Sequence, residues 1–165
     1  MLDKLFKKKQ KIEQEEFFSP LAGELISLDQ VSDTVFSEKM MGDGVAIIPA
    51  EGVLVSPVEG EVIQVFHTKH AIGIRSLTGL EILFHVGLET VELNGEGFNI
   101  LVEEGQIVNV GDSLLHFDIP FLKSKNKEIV TPIIITNSSQ KVEEIVQVEK
   151  QRVSRCDRLF VCKLK

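Results

Sequence analysis

The sequence predicts an all-β protein, an antiparallel β-sandwich or barrel built on an internally duplicated motif, with a few short helical turns. Three observations carry that expectation. From Phe17 onward, short runs of Val, Ile, Leu and Phe are broken every several positions by Gly, Pro, Asp or Asn, the punctuation of strands and tight turns. No segment keeps its apolar residues at a 3.6-residue period over the length of a packed helix. Finally, Ser19-Pro20-Leu21-Ala22-Gly23-Glu24-Leu25 returns as Ser56-Pro57-Val58-Glu59-Gly60-Glu61-Val62, a shift of 37 residues (56 − 19). Two copies are too few for a solenoid, which needs at least about three stacked units, and they suit a pseudo-symmetric barrel or sandwich.

Residues 1–16 stand apart. Leu2, Leu5 and Phe6 fall at i, i+3 and i+4 among Lys4, Lys7, Lys8, Lys9 and Lys11, so this stretch reads as a basic amphipathic or flexible tail. A solvated, frayed tail is the first expectation; any contact with anionic lipid should be weak and reversible, because three apolar side chains bury little while each lysine contributes on the order of 1 kcal/mol. The β-domain is expected over 17–165, in one unit, since a chain of 165 residues buries a sufficient core without disulfides or structural metal. Strands are expected at 21–27, 45–49, 52–56, 61–67, 70–75, 80–86, 99–102, 106–108, 114–119, 129–136, 142–148 and 159–164. Helical turns are expected at 28–31, 38–41, 90–93 and 119–125, the last opened by Asp118-Ile119-Pro120, a cap followed by a prolyl first turn. A weaker echo pairs Met41-Gly42-Asp43-Gly44-Val45 with Val110-Gly111-Asp112-Ser113-Leu114. No glycine lies between Val148 and Leu164, so the closing turn lacks its usual residue, although Phe160, Cys162 and Leu164 alternate like an edge strand.

Composition excludes several function classes. A net charge of −7 and the absence of Trp and Tyr argue against a nucleic-acid surface. Cys156 and Cys162 fit neither a CxxC redox pair nor a zinc knuckle, and reduced thiols are expected. The N-terminus has no secretory apolar region and no apolar run approaches the ~18 residues of a membrane span, so a cytoplasmic location is expected.

The chemistry is expected between residues 66 and 98. A two-residue hairpin loop of Leu77 and Thr78 pairs residues whose numbers add to 155, and 70 + 85 is also 155. His70 and His85 should therefore stand opposite each other, with Cβ atoms roughly 4.5–5.5 Å apart. A bulge at Gly79 would shift that register by one residue. The face so built holds Phe66, Thr68, His70, Ile72, Leu83, His85, Gly87 and Glu89, with Phe66, Ile72 and Leu83 as an apolar collar. Such a face suits phosphoryl transfer: one ring as nucleophile, a second as donor to the phosphoryl oxygens, Thr68 to orient that second ring. Zinc would use the same two rings, with Glu89 a distant third ligand. No GxSxG elbow is present for serine hydrolysis. His67 and His116 read as surface or structural histidines. From the residues alone, two merely structural cross-strand histidines remain an open alternative.

The run GLEILFHVGLETVELNGEGF at 79–98 resembles the active-site signature of the glucose-type enzyme IIA component of the bacterial sugar phosphotransferase system. The resemblance extends to Val35-Phe36-Ser37-Glu38-Lys39-Met40-Met41-Gly42-Asp43-Gly44, to Ser56-Pro57-Val58-Glu59-Gly60 and to Thr68-Lys69-His70-Ala71-Ile72, covering about residues 17–150. It implies that His85 carries the phosphoryl group as a tele-phosphohistidine, that His70 assists, and that Thr68 is hydrogen-bonded to His70. It also implies phospho-HPr as donor, a cysteine of an enzyme IIB domain as acceptor, and a docking surface that includes Phe36, Met40, Met41, Phe66, Leu83 and Glu89. No cofactor is required by this reading, and zinc, where it enters, is held by His70 and His85 with a partner's carboxylate. Many relatives carry Asp where Glu89 stands. A monomeric, free-standing IIA phosphocarrier is the expectation. The alternative is a non-catalytic regulatory module acting on permeases or kinases through the same surface. A biotinyl or lipoyl carrier is a weaker candidate, because Lys39 precedes Met40 and Met41 and does not lie between them.

Overall fold

A computed structural model describes residues 12–165. The amphipathic part of the tail, Leu2 to Lys11, lies outside the described residues. Every run expected as a strand is one, and two further strands complete the set: β1 Gln14–Phe18, β2 Gly23–Ser27, β3 Asp43–Pro49, β4 Val53–Val55, β5 Gly60–Val65, β6 Ala71–Ser76, β7 Glu81–His85, β8 Phe98–Ile100, β9 Ile107–Val108, β10 Ser113–Phe117, β11 Thr131–Ile135, β12 Val142–Gln147, β13 Arg152–Val153 and β14 Arg158–Leu164. All pairings are antiparallel. They form one eight-stranded sheet, β13-β2-β3-β11-β7-β6-β5-β9, and two three-stranded sheets, β1-β14-β12 and β4-β10-β8. Strand β1 begins at Gln14, so the sheet takes in three residues that the composition had assigned to the tail. Glu15 explains how: its carboxylate accepts from Ser76 Oγ (2.6 Å) and Thr78 Oγ1 (2.5 Å), clipping the strand to the hairpin turn.

The main core lies between the sheets. Phe17 and Phe160, both fully buried, stack at 4.5 Å between ring centroids, and Ile72, Ile74, Ile82 and Phe84 meet them from the eight-stranded sheet. Full burial of each such side chain stabilises by about 1.5–3 kcal/mol relative to exposure. A second, smaller cluster covers the opposite face of that sheet and includes Leu28, Phe36, Ala46, Ala71, Leu83 and Ile134. The central strands are thus buried on both faces, which is why β11 reads as an unbroken apolar run rather than an alternating one.

The duplication is structural. Ser19 Oγ donates to Leu21 O at 2.7 Å and Ser56 Oγ to Val58 O at 2.6 Å. The two copies interlock reciprocally, Phe18 N donating to Pro57 O and Val55 N to Pro20 O. Each copy is then gripped by a later loop. Ser56 N donates to Asp112 O, and Ser56 O accepts from Gly111 N; likewise Ser19 N donates to Asp157 O and Ser19 O accepts from Cys156 N. The structural counterpart of Val110-Gly111-Asp112 is therefore Arg155-Cys156-Asp157. The weaker echo at Met41-Gly42-Asp43 is a correction: it leads into β3 of the large sheet, whereas Ser113 opens β10 of a small one. Cys156, at φ 69°, occupies the left-handed position that Gly111 fills at φ 89°, and so closes the glycine-free C-terminal turn. Both cysteines are free, and burial pushes the Cys162 thiol up to about 12.

Short helices sit at Thr34–Ser37 (α1), Ile119–Ser124 (α2) and Ser138–Lys141 (α3), with 3-10 turns at Leu28–Gln30 and Thr90–Leu93. The helix expected at 38–41 begins earlier, because Asp33 caps it by accepting from Val35 N at 3.0 Å. Residues 38–41 form its exit instead: Met40 N donates to Val35 O, Lys39 N to Phe36 O, and Lys39 takes φ 57°, a Schellman ending that turns Met40 and Met41 outward. Helix α3 had no sequence signal that singled it out. No helix among the described residues is long and apolar enough to cross a membrane.

Candidate functional site

The β6–β7 hairpin differs from its expected register by one residue, and the turn explains the difference. Gly79 N donates to Ser76 O (3.0 Å), Ser76 N donates to Leu80 O (2.8 Å), and Gly79 has φ +91°, so the loop contains Leu77, Thr78 and a bulged glycine. Ala71, not His70, stands opposite His85, and every pair adds to 156, as in 71 + 85. In a continuous strand this slip would send the two imidazoles to opposite faces. They meet nonetheless, with ring centroids 4.8 Å apart and planes at 83°.

The reason is that His70 lies outside β6. Residues 67–70 form a four-residue loop closed by Phe66 N donating to Ala71 O (3.1 Å) and Lys69 N to Phe66 O (2.8 Å), and Lys69 at φ 63° reverses the chain. His70 thereby turns onto the face of β7 that carries Leu83 and His85. Val86 N donates to His70 O at 2.8 Å and fixes the two residues relative to each other. One member of the expected collar is corrected by the same slip: Ile72 pairs with Phe84 and is buried in the main core, on the other side of the sheet.

Around the pair, Thr68 Oγ1 lies 2.9 Å from His70 Nδ1, and both residues are buried, at 7% and 4% exposure. Phe66 meets the His70 ring edge-on at 5.7 Å, and Phe36, seated by α1, leans on the His85 ring at 5.0 Å and 54°. Leu83 is buried, Glu89 is exposed in a left-handed conformation at φ 58°, and Met40 and Met41 are 69% and 40% exposed at the margin. His67 and His116 are exposed.

The hydrogen bonds assign protons. His85 Nδ1 lies 2.7 Å from Gly87 O, and a carbonyl only accepts, so Nδ1 carries the hydrogen and Nε2 presents its lone pair. Burial pushes the His85 pKa down, opposed by the Gly87 carbonyl and by the Asp33 carboxylate. Burial, and next the neighbouring His85 ring, push His70 down to about 4. Both rings are neutral near pH 7. Gly87 O and Asp33 are parts of the site that the sequence reading missed; Asp33 was legible as a cap before Thr34-Val35-Phe36, whereas a carbonyl acceptor carries no sequence signal.

A pH dependence of stability follows. His70 binds its proton at about 4 when folded and near 6.5 when unfolded, so between those values the unfolded chain holds more protons and stability falls as pH falls. The loss begins below about pH 6.5 and is complete below about pH 4, reaching up to about 3 kcal/mol from this residue alone. Urea unfolding of the protein and of His70→Gln at pH 7.5 and 4.5 should show the wild type losing more stability than the variant. Equal losses would refute the depressed titration.

The pair offers two nitrogen donors, and among the described residues no group of three or more His, Cys, Asp or Glu side chains is arranged to hold a metal ion. A zinc ion on His70 and His85 would need its further ligands from outside the described residues.

The comparisons with known proteins agree with one another. The family model described as phosphoenolpyruvate-dependent sugar phosphotransferase system, EIIA 1, matches residues 15–141. The chain is similar to the PTS system glucose-specific EIIA component of Bacillus cereus, with 54% identity over 138 residues, 84% of this chain and 84% of the relative. It is similar to that of Staphylococcus aureus strain N315, with 48% identity over 141 residues, 85% of each chain. Among solved structures it matches glucose permease IIA from Mycoplasma capricolum at a TM-score of 0.82 and 39% identity, over 91% of this chain and 96% of the other, and the shared fold is a β-sandwich.

Proposed function

Because the chain belongs to the phosphoenolpyruvate-dependent sugar phosphotransferase system EIIA 1 family, we propose that it is a phosphocarrier that accepts a phosphoryl group on His85 Nε2 from phospho-HPr and passes it to a cysteine of an enzyme IIB domain. The observation that carries this reading is the Nδ1–H of His85 held on Gly87 O beside a second, neutral imidazole. In acceptance, the Nε2 lone pair attacks phosphorus while the donor's N–P bond breaks, and the donor ring recovers its electron pair. In delivery, a thiolate attacks and the His85 Nε2–P bond breaks in turn. With the Thr68 hydroxyl donating to Nδ1, His70 keeps its hydrogen on Nε2 and donates it to the phosphoryl oxygens as charge builds there.

The burial of His70 and the partial burial of His85 serve the chemistry in two ways. They keep Nε2 of His85 unprotonated at neutral pH, and they exclude water from a labile bond. Docking then falls to the rim. Met40, Met41 and Phe66 supply apolar contact over buried Phe36 and Leu83, and exposed Glu89 supplies a charge for a basic group on either partner. One surface serves both hand-offs, which suits a monomer working in the cytoplasm between two protein partners. Transfer between side chains calls for no organic cofactor, and a zinc ion would join His70 and His85 to a partner's carboxylate.

The test is to incubate the full chain with phosphoenolpyruvate, enzyme I and HPr and to locate the label by mass spectrometry and phosphorus NMR. Acid-labile phosphate at Nε2 of His85 is expected. Label at another residue, or at Nδ1, would overturn the assignment.

A further inference from the structure

We propose that Thr90 is a positioning residue for this transfer: its hydroxyl, through the loop 86–90, holds the Gly87 carbonyl on His85 and so selects the ring tautomer that can be phosphorylated. The inference rests on the phosphocarrier reading and adds to it a residue that touches neither ring.

The geometry is a short relay. Thr90 is fully buried at the start of a 3-10 turn, and its Oγ1 donates to Val86 O at 2.5 Å. The two peptide groups flanking Val86 are therefore both anchored, one by Val86 N donating to His70 O and the other by Thr90. The next carbonyl along is that of Gly87, the acceptor for His85 Nδ1–H. Leu88 N, donating to Glu128 O at 3.0 Å, ties down the far side of the loop. Between these ties the backbone passes through two left-handed residues, Gly87 at φ +73° and Glu89 at φ 58°. Such a path is costly for a non-glycine residue and persists only where the surroundings over-determine it. The Thr90 methyl contributes to that: a Cβ built on Gly87 would lie 2.7 Å from Thr90 Cγ2, so the methyl is packed directly on the glycine.

The relay matters because a free neutral imidazole favours its proton on Nε2, the nitrogen that must attack. Carriage at Nε2 needs the other tautomer, and the partner on the opposite nitrogen is what selects it. Without the hydroxyl, Val86 O is buried without a donor, the loop can relax, and the Gly87 carbonyl is free to rotate off Nδ1. A merely structural Thr90 would affect stability and leave the tautomer and the chemical step unchanged.

The experiment compares the wild type with Thr90→Val, which keeps the shape and removes the donor, and with Thr90→Ser, which keeps the donor. Long-range proton–nitrogen NMR of the full chain reads the His85 tautomer without any phosphoryl donor, and initial rates with phospho-HPr give kcat and KM. For Thr90→Val, the His85 nitrogens should move from the Nδ1–H pattern towards a mixture, and kcat should fall about ten-fold with KM little changed. Thr90→Ser should stay within about two-fold of wild type in rate and keep the tautomer. A wild-type tautomer in Thr90→Val, or a Thr90→Ser variant as impaired as Thr90→Val, overturns the inference. Should Thr90→Val fail to fold, Thr90→Ala against Thr90→Ser carries the same comparison. Absence of label from wild-type His85 would instead defeat the phosphocarrier reading, while the tautomer comparison would still judge the relay.

Discussion

His85→Ala should take up no acid-labile phosphate from phospho-HPr, and His70→Ala should take it up but deliver it to a IIB domain about 10²–10³-fold more slowly than wild type. The first effect is absolute because the substitution removes the only atom in the site with an aimed, unprotonated lone pair. His70 Nδ1 faces Thr68, and its Nε2 carries the hydrogen when the Thr68 hydroxyl donates to Nδ1. The second effect is graded because His70 stabilises charge and forms no bond. During acceptance, His85 is still oriented by Gly87 O whatever occupies position 70, and the donor's own site shares in neutralising the phosphoryl oxygens. During delivery a negatively charged thiolate approaches that group, and on this chain the donor beside it is His70. Rapid-quench labelling followed by a chase with a IIB domain separates the two steps. Label that survives His85→Ala, or unimpaired delivery by His70→Ala, would break the division of labour.

The sequence made the sandwich legible, together with the residues of the histidine pair, but it placed the pair by the wrong geometry. A two-residue loop at Leu77-Thr78 aligned His70 with His85, whereas the bulge at Gly79 aligns Ala71, and the loop at 67–70 restores the encounter. Two errors of register cancel because Lys69 adopts φ 63°. The same blindness recurs elsewhere. Lys39 ends α1 at φ 57° and Cys156 closes the last turn at φ 69°, both in positions where glycine is the ordinary signal. With glycine absent, the sequence pattern points to a helical turn at 38–41 where the helix is at 34–37, and the second loop repeat has no glycine signature. Gln106-Ile107-Val108-Asn109-Val110-Gly111-Asp112 and Gln151-Arg152-Val153-Ser154-Arg155-Cys156-Asp157 are nevertheless equivalent. Asn109 N donates to Asp112 Oδ2 and Ser154 N to Asp157 Oδ2, each at 2.8 Å, and β9 and β13 pair with β5 and β2 in matching register. Three of the non-glycine left-handed residues, Lys39, Lys69 and Glu89, adjoin the candidate site, where strain of about 1–2 kcal/mol apiece is held by surrounding contacts.

Phe84→Ala should lower stability by about 3–5 kcal/mol, a large part of the ~5–15 kcal/mol typical of a domain, while leaving phosphoryl acceptance per folded molecule close to wild type. Phe84 is fully buried between Ile72 and Ile133, so truncation leaves a cavity in the main core. Its neighbour His85 points the other way, because successive residues of a strand face opposite sides, and the rings and the Gly87 acceptor lie beyond the small cluster that contains Leu83. Leu83→Ala makes the contrast: it removes a smaller side chain, but from the same face as His85, and should slow acceptance as well as destabilise. Urea unfolding with an unchanged m-value gives the first quantity, and labelling rates normalised to folded protein give the second. A destabilisation of Phe84→Ala below about 1 kcal/mol would contradict the packing, since one buried methylene alone is worth nearly that much. Loss of acceptance in folded Phe84→Ala would mean that the core and the histidine face are mechanically coupled through β7, and that the separation of fold and chemistry across this sheet does not hold.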